Sequence, residues 1–211
     1  MTFRMTFGSL AGAAVLAALV VSASAPAIAQ DAADLAGTVT ALRAITTMRA
    51  DFVQSDTRGQ QVRGVLTLKR PGKIRFQYEK GVPMLIVSDG SALTFIDYEV
   101  RQVQRWPIKN SPLGALLDPS RDVGKYGRVM PTGSDRIVSV EVRDAKRPEY
   151  GVITLVFTRK AGAPGGLELS SWAALDSRKR RTIVTLSNQQ YGLPVADNAF
   201  RYNDPRAPVR R

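Results

Sequence analysis

The side chains that could carry out chemistry in this chain are limited by two residue types that it lacks. Its 211 residues include no histidine and no cysteine. The Ser-His-Asp and Cys-His nucleophilic systems are therefore excluded, and so are the usual ligands of catalytic zinc. The chain also lacks a nucleophile elbow, a phosphate-binding glycine loop and a dinucleotide fingerprint. We expect no metal and no cofactor.

Carboxylates remain as candidates for general acid–base chemistry, because a pair of them can hydrolyse a glycoside. Most of the aspartates lie near turns, where this residue commonly forms turns and caps. These are Asp89, Asp97, Asp118, Asp122, Asp135, Asp144 and Asp176. The sequence therefore predicts a protein that is not an enzyme, and a carboxylate-dependent hydrolase is the distant alternative.

The N-terminal segment is typical of an exported protein. Arg4 precedes the apolar run 10–21, and Ala27-Ile28-Ala29 fits the cleavage pattern of a signal peptidase. The run is shorter than the ~20 residues that span a bilayer. We expect a signal peptide over residues 1–29 and one soluble periplasmic domain over 30–211. Without cysteine, this domain cannot be acylated at its N-terminus as bacterial lipoproteins are.

The formal net charge is +12, with basic clusters at 69–75, at 178–181 and at Arg206, Arg210 and Arg211. Nucleic acid is a poor partner for an exported protein. Anionic phospholipid headgroups or an acidic surface on another exported protein are better candidates. A solvated face that only aids solubility explains any single cluster equally well.

The elements that position these residues are mostly strands. In the hairpin 64–78, Leu66 and Leu68 share one face of the first strand, and Ile74, Phe76 and Tyr78 share one face of the second. Residues 70–72, Arg-Pro-Gly, form the turn, in which glycine takes a positive φ. Such an apolar face lines a barrel interior or lipid pocket, or fills the core of a β-sandwich, and alternation alone favours the sandwich core.

Apolar spacing predicts a helix over 33–47, and alternation with turn signals predicts a series of strands. The strands are expected at 50–56, 62–69, 74–79, 84–88, 92–97, 100–105, 126–131, 137–143, 152–158, 167–175, 182–186 and 199–202. This pattern predicts a mainly β fold. We expect an incomplete antiparallel β-barrel, a strongly curved sheet, with an N-terminal helix and one short helical interruption.

One helical interruption separates the two runs of strands. Ser111 is a good N-cap and Pro112 suits the first helical position, so a short helix is expected to begin there. Leu113, Leu116 and Leu117 would give it one apolar face. Such a helix covers an open end of the sheet or serves as a plug in the core, and the pattern does not decide between these two roles.

Several segments together resemble the periplasmic outer-membrane lipoprotein carrier family (LolA). They are 51–54 (Asp-Phe-Val-Gln), 69–72 (Lys-Arg-Pro-Gly), 74–76 (Ile-Arg-Phe), 86–90 (Ile-Val-Ser-Asp-Gly), 110–113 (Asn-Ser-Pro-Leu) and the late segment with Phe200. The order and spacing match from about residue 35 to 202. The resemblance implies an incomplete barrel closed by a helical lid.

The resemblance also implies a function and a set of roles. Family members take lipoproteins from an inner-membrane transporter, shield the acyl chains and pass them to an outer-membrane acceptor, so we expect a monomer that contacts membranes transiently. Arg70 matches the arginine that holds the lid over the empty cavity. The expected cavity residues are Leu42, Phe52, Leu66, Leu68, Ile74, Phe76 and Tyr78. Phe76 stands where many relatives have tryptophan. A related lipid-binding or lipoprotein-sensing module with another apolar cargo is the alternative.

Overall fold

The computed structural model describes residues 25–108 and 113–206, and one antiparallel sheet of eleven strands dominates them. The strands are β1 (Thr47–Ser55), β2 (Gln61–Lys69), β3 (Lys73–Tyr78), β4 (Met84–Asp89), β5 (Ala92–Asp97), β6 (Gln102–Pro107), β7 (Gly127–Met130), β8 (Ile137–Val142), β9 (Val152–Arg159), β10 (Leu167–Leu175) and β11 (Arg181–Tyr191). Their order is β6-β5-β4-β3-β2-β1-β11-β10-β9-β8-β7. The edge strands β6 and β7 do not pair, so the sheet is curved and open. The predicted mainly β fold is confirmed.

Three helices accompany the sheet: α1 (Ala25–Ala44), α2 (Gly114–Leu117) and α3 (Pro119–Tyr126). Buried residues of all three, such as Leu42, Leu116 and Val123, join one apolar cluster with the sheet. The helices therefore cover one face of the sheet, which we call the concave face. No described helix has the length and apolar character needed to cross a membrane.

The strand alternation places opposite chemistry on the two faces of the sheet. In β3, Ile74, Phe76 and Tyr78 are buried on the concave face, while Arg75 and Gln77 point to the other, convex face. The turn from β2 to β3 contains a cis peptide bond between Arg70 and Pro71, and Gly72 has φ +67°. Lys69 pairs with Lys73, which fixes the register of the hairpin.

A second, smaller cluster lies on the convex face. It consists of Leu85, Val87, Ile96 and Phe200. Phe200 belongs to residues 193–206, which we call the C-terminal segment. Residues 199–202, predicted as a strand, are not one: a 3₁₀ helix spans Asp197–Phe200. This prediction was wrong because side chains of the sheet, rather than a neighbouring strand, bind the segment.

Three basic side chains hold the C-terminal segment. The Lys69 ammonium donates to Val195 O at 2.7 Å and to Asp197 Oδ1 at 2.7 Å. The Lys73 ammonium lies 3.0 Å from the same carboxylate oxygen. Arg75 Nη1 donates to the carbonyls of residues 199 and 201. These bonds replace the backbone ladder that a twelfth strand would have formed.

Several predicted helix and strand bounds need correction. The first helix ends at Ala44 and not at residue 47, because Thr47 already begins β1, and it begins at Ala25 and not at 33. Helix α3 was not predicted, and it contains Tyr126, which was assigned to a strand. The sixth strand is Gln102–Pro107, two residues later than predicted.

Some predictions fall outside the described residues. They concern residues 1–24 of the signal peptide, the helix start at Ser111 and Pro112, and the basic residues Arg210 and Arg211. Within the described part, α2 begins at Gly114 with Leu113 before it.

Candidate functional site: the concave face and its lid

One arginine joins two helices to the sheet. Arg70 Nε donates to Leu42 O at 2.9 Å and to Ile45 O at 3.1 Å, at the end of α1. Its Nη1 donates to Leu117 O at 2.8 Å, and its Nη2 donates to Leu116 O at 3.1 Å. A single guanidinium therefore binds four backbone carbonyls, two near each helix end.

The acceptors are carbonyls that helices leave unpaired. The last four carbonyls of any α-helix have no partner within the helix, and they carry partial negative charge. Leu42 belongs to the last turn of α1, and Leu116 and Leu117 end the single turn of α2. The planar fork of Arg70 can reach several of them at once, which a lysine ammonium cannot do.

The environment of this guanidinium is partly buried. Burial lowers the pKa of Arg70, and the charge of Asp118 opposes that shift. Because the ordinary pKa of arginine is far above neutrality, the side chain stays charged. Its hydrogen bonds to α1 and α2 are therefore charge-assisted.

The turn that carries Arg70 packs against residues 88–90, at the end of β4. The buried Ser88 hydroxyl donates to Gly72 O at 2.8 Å and accepts from the Gly90 N–H. A Cβ on Gly72 would lie 2.9 Å from Gly90 O, so only glycine fits here. The Arg70 amide also donates to Thr46 O. The backbone on both sides of Arg70 is thus fixed.

The structure brings the seven predicted cavity residues together, six on the concave face and Leu42 on α1, which covers that face. Each is at most 4% exposed. They are Leu42, Phe52, Leu66, Leu68, Ile74, Phe76 and Tyr78. Leu85 and Val87 point to the convex face instead. Of the predicted lid residues, Leu116 and Leu117 are buried in the same cluster, and Leu113 packs against it half-buried.

Aromatic rings form the centre of this face. The Phe52 ring contacts those of Phe76 and Tyr78 edge to face, with centroids 5.4 Å and 5.3 Å apart. Gly64 lies between Phe52 and Tyr78 in the register, and a Cβ there would lie 2.8 Å from the Phe52 ring. The glycine therefore leaves the room that the rings occupy.

One polar group belongs to the same face. The Tyr78 hydroxyl lies 2.8 Å from Gln54 Oε1 and donates to it. Burial raises the pKa of Tyr78 to about 12, with the bond to Gln54 acting in the opposite direction. The phenol is therefore neutral at physiological pH, and the face carries no charge at this point.

Sequence reasoning missed Trp172 as part of the concave face. Its ring contacts that of Phe76 at 6.1 Å between centroids and is almost fully buried. The alternation of Leu167 and Leu169 would have assigned it to the opposite side, because a bulge between Leu169 and Ser171 shifts the phase of β10.

The hydrolase hypothesis requires two buried carboxylates in a polar cleft. Of the carboxylate side chains that the structure describes, none is buried. The buried polar residues in the described ranges are Thr38, Ser88 and Thr94. The geometry favours an apolar binding face closed by a helical lid.

Comparison with known proteins gives the same family that the residues resemble. The model of the family described as outer membrane lipoprotein carrier protein LolA matches residues 43–203. An outer-membrane lipoprotein carrier protein of Chromobacterium violaceum is 37% identical over 201 residues, covering 92% of both chains. That of Cupriavidus necator is 30% identical over 207 residues, again covering 92% of both. A solved LolA superfamily protein of Nitrosomonas europaea aligns with a TM-score of 0.46 at 10% identity, covering 81% of this chain and 96% of that one. The resemblance is confirmed, and this chain belongs to the LolA family of outer membrane lipoprotein carrier proteins.

Proposed function

We propose that this protein carries lipoproteins between membranes by shielding their acyl chains against the concave face. The observation that carries the proposal is the apolar face closed by helices that one arginine holds through four carbonyls. A relative from Chromobacterium violaceum bears the name outer-membrane lipoprotein carrier protein. The same activity is proposed here.

The physical need for such a carrier is large. Exposing an acyl chain of ~15 methylenes to water costs about 12 kcal/mol at ~0.8 kcal/mol per methylene. A lipoprotein does not cross an aqueous space unaided at that cost. An apolar face that opens at one membrane and closes after delivery at another removes the barrier.

The proposed role of each residue follows from its position in the fold. The seven predicted cavity residues form the wall that replaces water around the acyl chains, together with Trp172. Arg70 is the latch, because its guanidinium joins the α2 carbonyls of Leu116 and Leu117 to the hairpin. Leu116 and Leu117 cover the wall in the closed form and must leave it when cargo enters. The aromatic rings of Phe52 and Phe76 offer a flat apolar surface to methylene chains.

The cellular setting belongs to the same proposal. Residues 1–29 serve as the signal peptide, and residues 30–211 form the carrier domain of a monomer in the periplasm. The cargo is received from an inner-membrane lipoprotein-releasing transporter and given to an outer-membrane acceptor. Each transfer brings the carrier only briefly to a membrane.

Two measurements test the proposal. Native mass spectrometry of the protein purified from its own periplasm should detect bound di- or triacyl lipoprotein. Free phospholipid or an isoprenoid lipid in its place would instead support the alternative lipid-binding module.

A crosslinking experiment locates the cargo. A benzoylphenylalanine placed at Phe76, on the concave face, should capture the acylated N-terminus of a lipoprotein on illumination. The same residue at Gln77 is the matched control, because the next position of β3 points to the convex face. Equal capture at both positions would contradict the assignment of the concave face as the cargo wall.

A further inference from the structure

Three neighbouring connections at one end of the sheet are rich in basic side chains. Ser55 pairs with Ile183, and Leu175 pairs with both Arg181 and Val152, so the β1–β2, β10–β11 and β8–β9 connections follow one another. With about 4.8 Å between strands, they extend over about 24 Å from β2 to β8. We call this surface the basic end; it is formed by residues 56–63, 143–151 and 176–181.

The basic end is strongly and openly charged. Its three segments contain nine basic and four acidic residues, a net charge of +5. All nine basic side chains are exposed. Asp56, Asp144 and Asp176 accept hydrogen bonds from backbone amides of their own turns. Three of the four carboxylates of the basic end are therefore hydrogen-bonded within their own turns.

Six of these basic side chains have no assigned role in the fold. Within the described ranges, the structure gives their charged groups no hydrogen bond and no ion pair. They are Arg63, Arg143, Lys146, Arg178, Lys179 and Arg181. The positive charge is therefore available to something outside the chain.

Two of the turns have the same backbone geometry but a different residue at the fourth position. In 56–60 and in 176–180, the first and fifth residues are hydrogen-bonded through the backbone, and an aspartate begins the turn. The fourth residue has a positive φ in both: Gly59 at +77° and Lys179 at +60°. Glycine adopts this conformation freely, whereas lysine does so at a cost in stability. The second turn keeps a lysine at its tip despite that cost.

Exposed apolar side chains lie at the same end. Among the described residues, the large apolar side chains that are exposed are Tyr98, Val100 and Leu175. Leu175 directly precedes the turn 176–180. Tyr98 and Val100 lie in the β5–β6 connection, whose Tyr98 amide bonds to Pro83 O in the β3–β4 connection at this end.

We propose that the basic end docks on the surface of an anionic phospholipid bilayer. Basic side chains complement the phosphates, and each strengthens binding about fivefold near such a surface. The exposed Leu175, directly beside the basic turn 176–180, suits the headgroup layer, which accepts an apolar side chain at any position. An acidic protein would instead need a surface whose shape is complementary to these side chains.

This orientation leaves the lid free. The basic end includes Gln61, at the start of β2, whereas Arg70 follows Lys69 at the other end of the strand. A bound carrier would thus lie on the bilayer with its latch directed away. The inference does not depend on the proposed cargo, because the vesicles in its test contain no lipoprotein.

The test is flotation of the purified protein with vesicles. Vesicles of phosphatidylethanolamine and phosphatidylglycerol in equal parts should bind it, vesicles of phosphatidylcholine should not, and high salt should release it. The triple variant Arg178→Ser, Lys179→Gly, Arg181→Ser should bind about 100-fold less tightly. The control triple, Arg49→Ser, Arg136→Ser and Arg201→Ser, removes the same charge from exposed positions outside the basic end and should bind nearly as well as wild type.

A single variant separates binding from folding. Lys179→Gly should weaken vesicle binding about fivefold and raise the melting temperature, because glycine relaxes the turn. Equal losses in the two triple variants would reduce the effect to net charge and overturn the proposal. Failure of the wild-type protein to bind vesicles that contain phosphatidylglycerol would also overturn the proposal. Capture by an acidic protein, without any binding to vesicles, would overturn it as well.

Discussion

Replacing Arg70 by leucine should unlock the lid while leaving the concave face apolar. Arg70 donates two hydrogen bonds to α2, at Leu116 O and Leu117 O. At about 1.5–3 kcal/mol for each bond from a charged donor, the latch contributes about 3–6 kcal/mol. The buried side chains of Leu116 and Leu117 add about 1.5–3 kcal/mol each, a further 3–6 kcal/mol.

Opening the wild-type lid therefore costs about 6–12 kcal/mol by these values. That is comparable with the ~12 kcal/mol gained by covering one acyl chain of ~15 methylenes. Cargo and closed lid are thus nearly balanced, so an acceptor that binds acyl chains slightly better can take them. Removing the latch shifts the balance towards retained cargo by at least about 3 kcal/mol, or about 100-fold.

The lid itself is measured by hydrogen exchange. The amides of Leu116, Leu117 and Asp118 donate to the carbonyls of residues 113 and 114 at the start of α2, and in Arg70→Leu we expect their exchange to be about 100-fold faster than in wild type. Transport is measured in two steps, release of a lipoprotein from inner-membrane vesicles and delivery to the acceptor. Release should continue and delivery should fail.

Arg75→Leu is the matched control. Arg75 lies on the same hairpin and donates two hydrogen bonds to backbone carbonyls, but those belong to the C-terminal segment on the convex face. Its loss should leave exchange in α2 and delivery unchanged. Arg70→Lys should give an intermediate defect, because an ammonium lacks the fork. If Arg70→Leu delivers cargo as well as wild type, the latch role is wrong.

Other predictions concern stability. Gly64→Ala should lower the free energy of unfolding by about 3 kcal/mol, measured in urea, because its Cβ would lie 2.1 Å from Gln77 O. Gly37→Ala, in α1, should raise it by about 0.5–1 kcal/mol, since its Cβ would meet Leu167 Cδ1 at an ordinary 3.8 Å; a loss would contradict that packing. Partial burial raises the pKa of Asp89, but hydrogen bonds from residues 91 and 92 and the charge of residue 105 outweigh it and lower the pKa to about 2. The stabilisation from Asp89 is therefore complete above about pH 4 and lost as pH falls towards 2, and Asp89→Asn should flatten that part of a denaturation series taken against pH.

The strands were predictable because their signals are local. Period-two alternation over 74–78 and the Pro-Gly turn before it are read directly from the residues, and the observed pairing of Lys69 with Lys73 follows. The latch was not predictable in this way. An arginine beside a tight turn is usually solvated, and only the family resemblance assigned Arg70 to the lid.

What sequence reasoning missed depends on distant partners. Helix α3 has Val123 as its buried residue in the described cluster, so apolar spacing gave no signal for it. The C-terminal segment carries an aromatic residue, Phe200, and resembles a strand locally. Its conformation is instead set by Lys69 and Arg75, more than 100 positions away in the chain.

The β2–β3 hairpin therefore performs two tasks on its two faces. Ile74 and Phe76 point to the concave wall, and Lys73 and Arg75 point to the C-terminal segment on the convex face. Because successive residues of a strand face opposite sides, a slip of one residue would place charges in the wall and apolar rings against the segment. The turn that prevents this slip also holds Arg70. The register, the proposed cargo wall and the proposed lid thus depend on the same place in the chain, and a change in that turn should affect all three together.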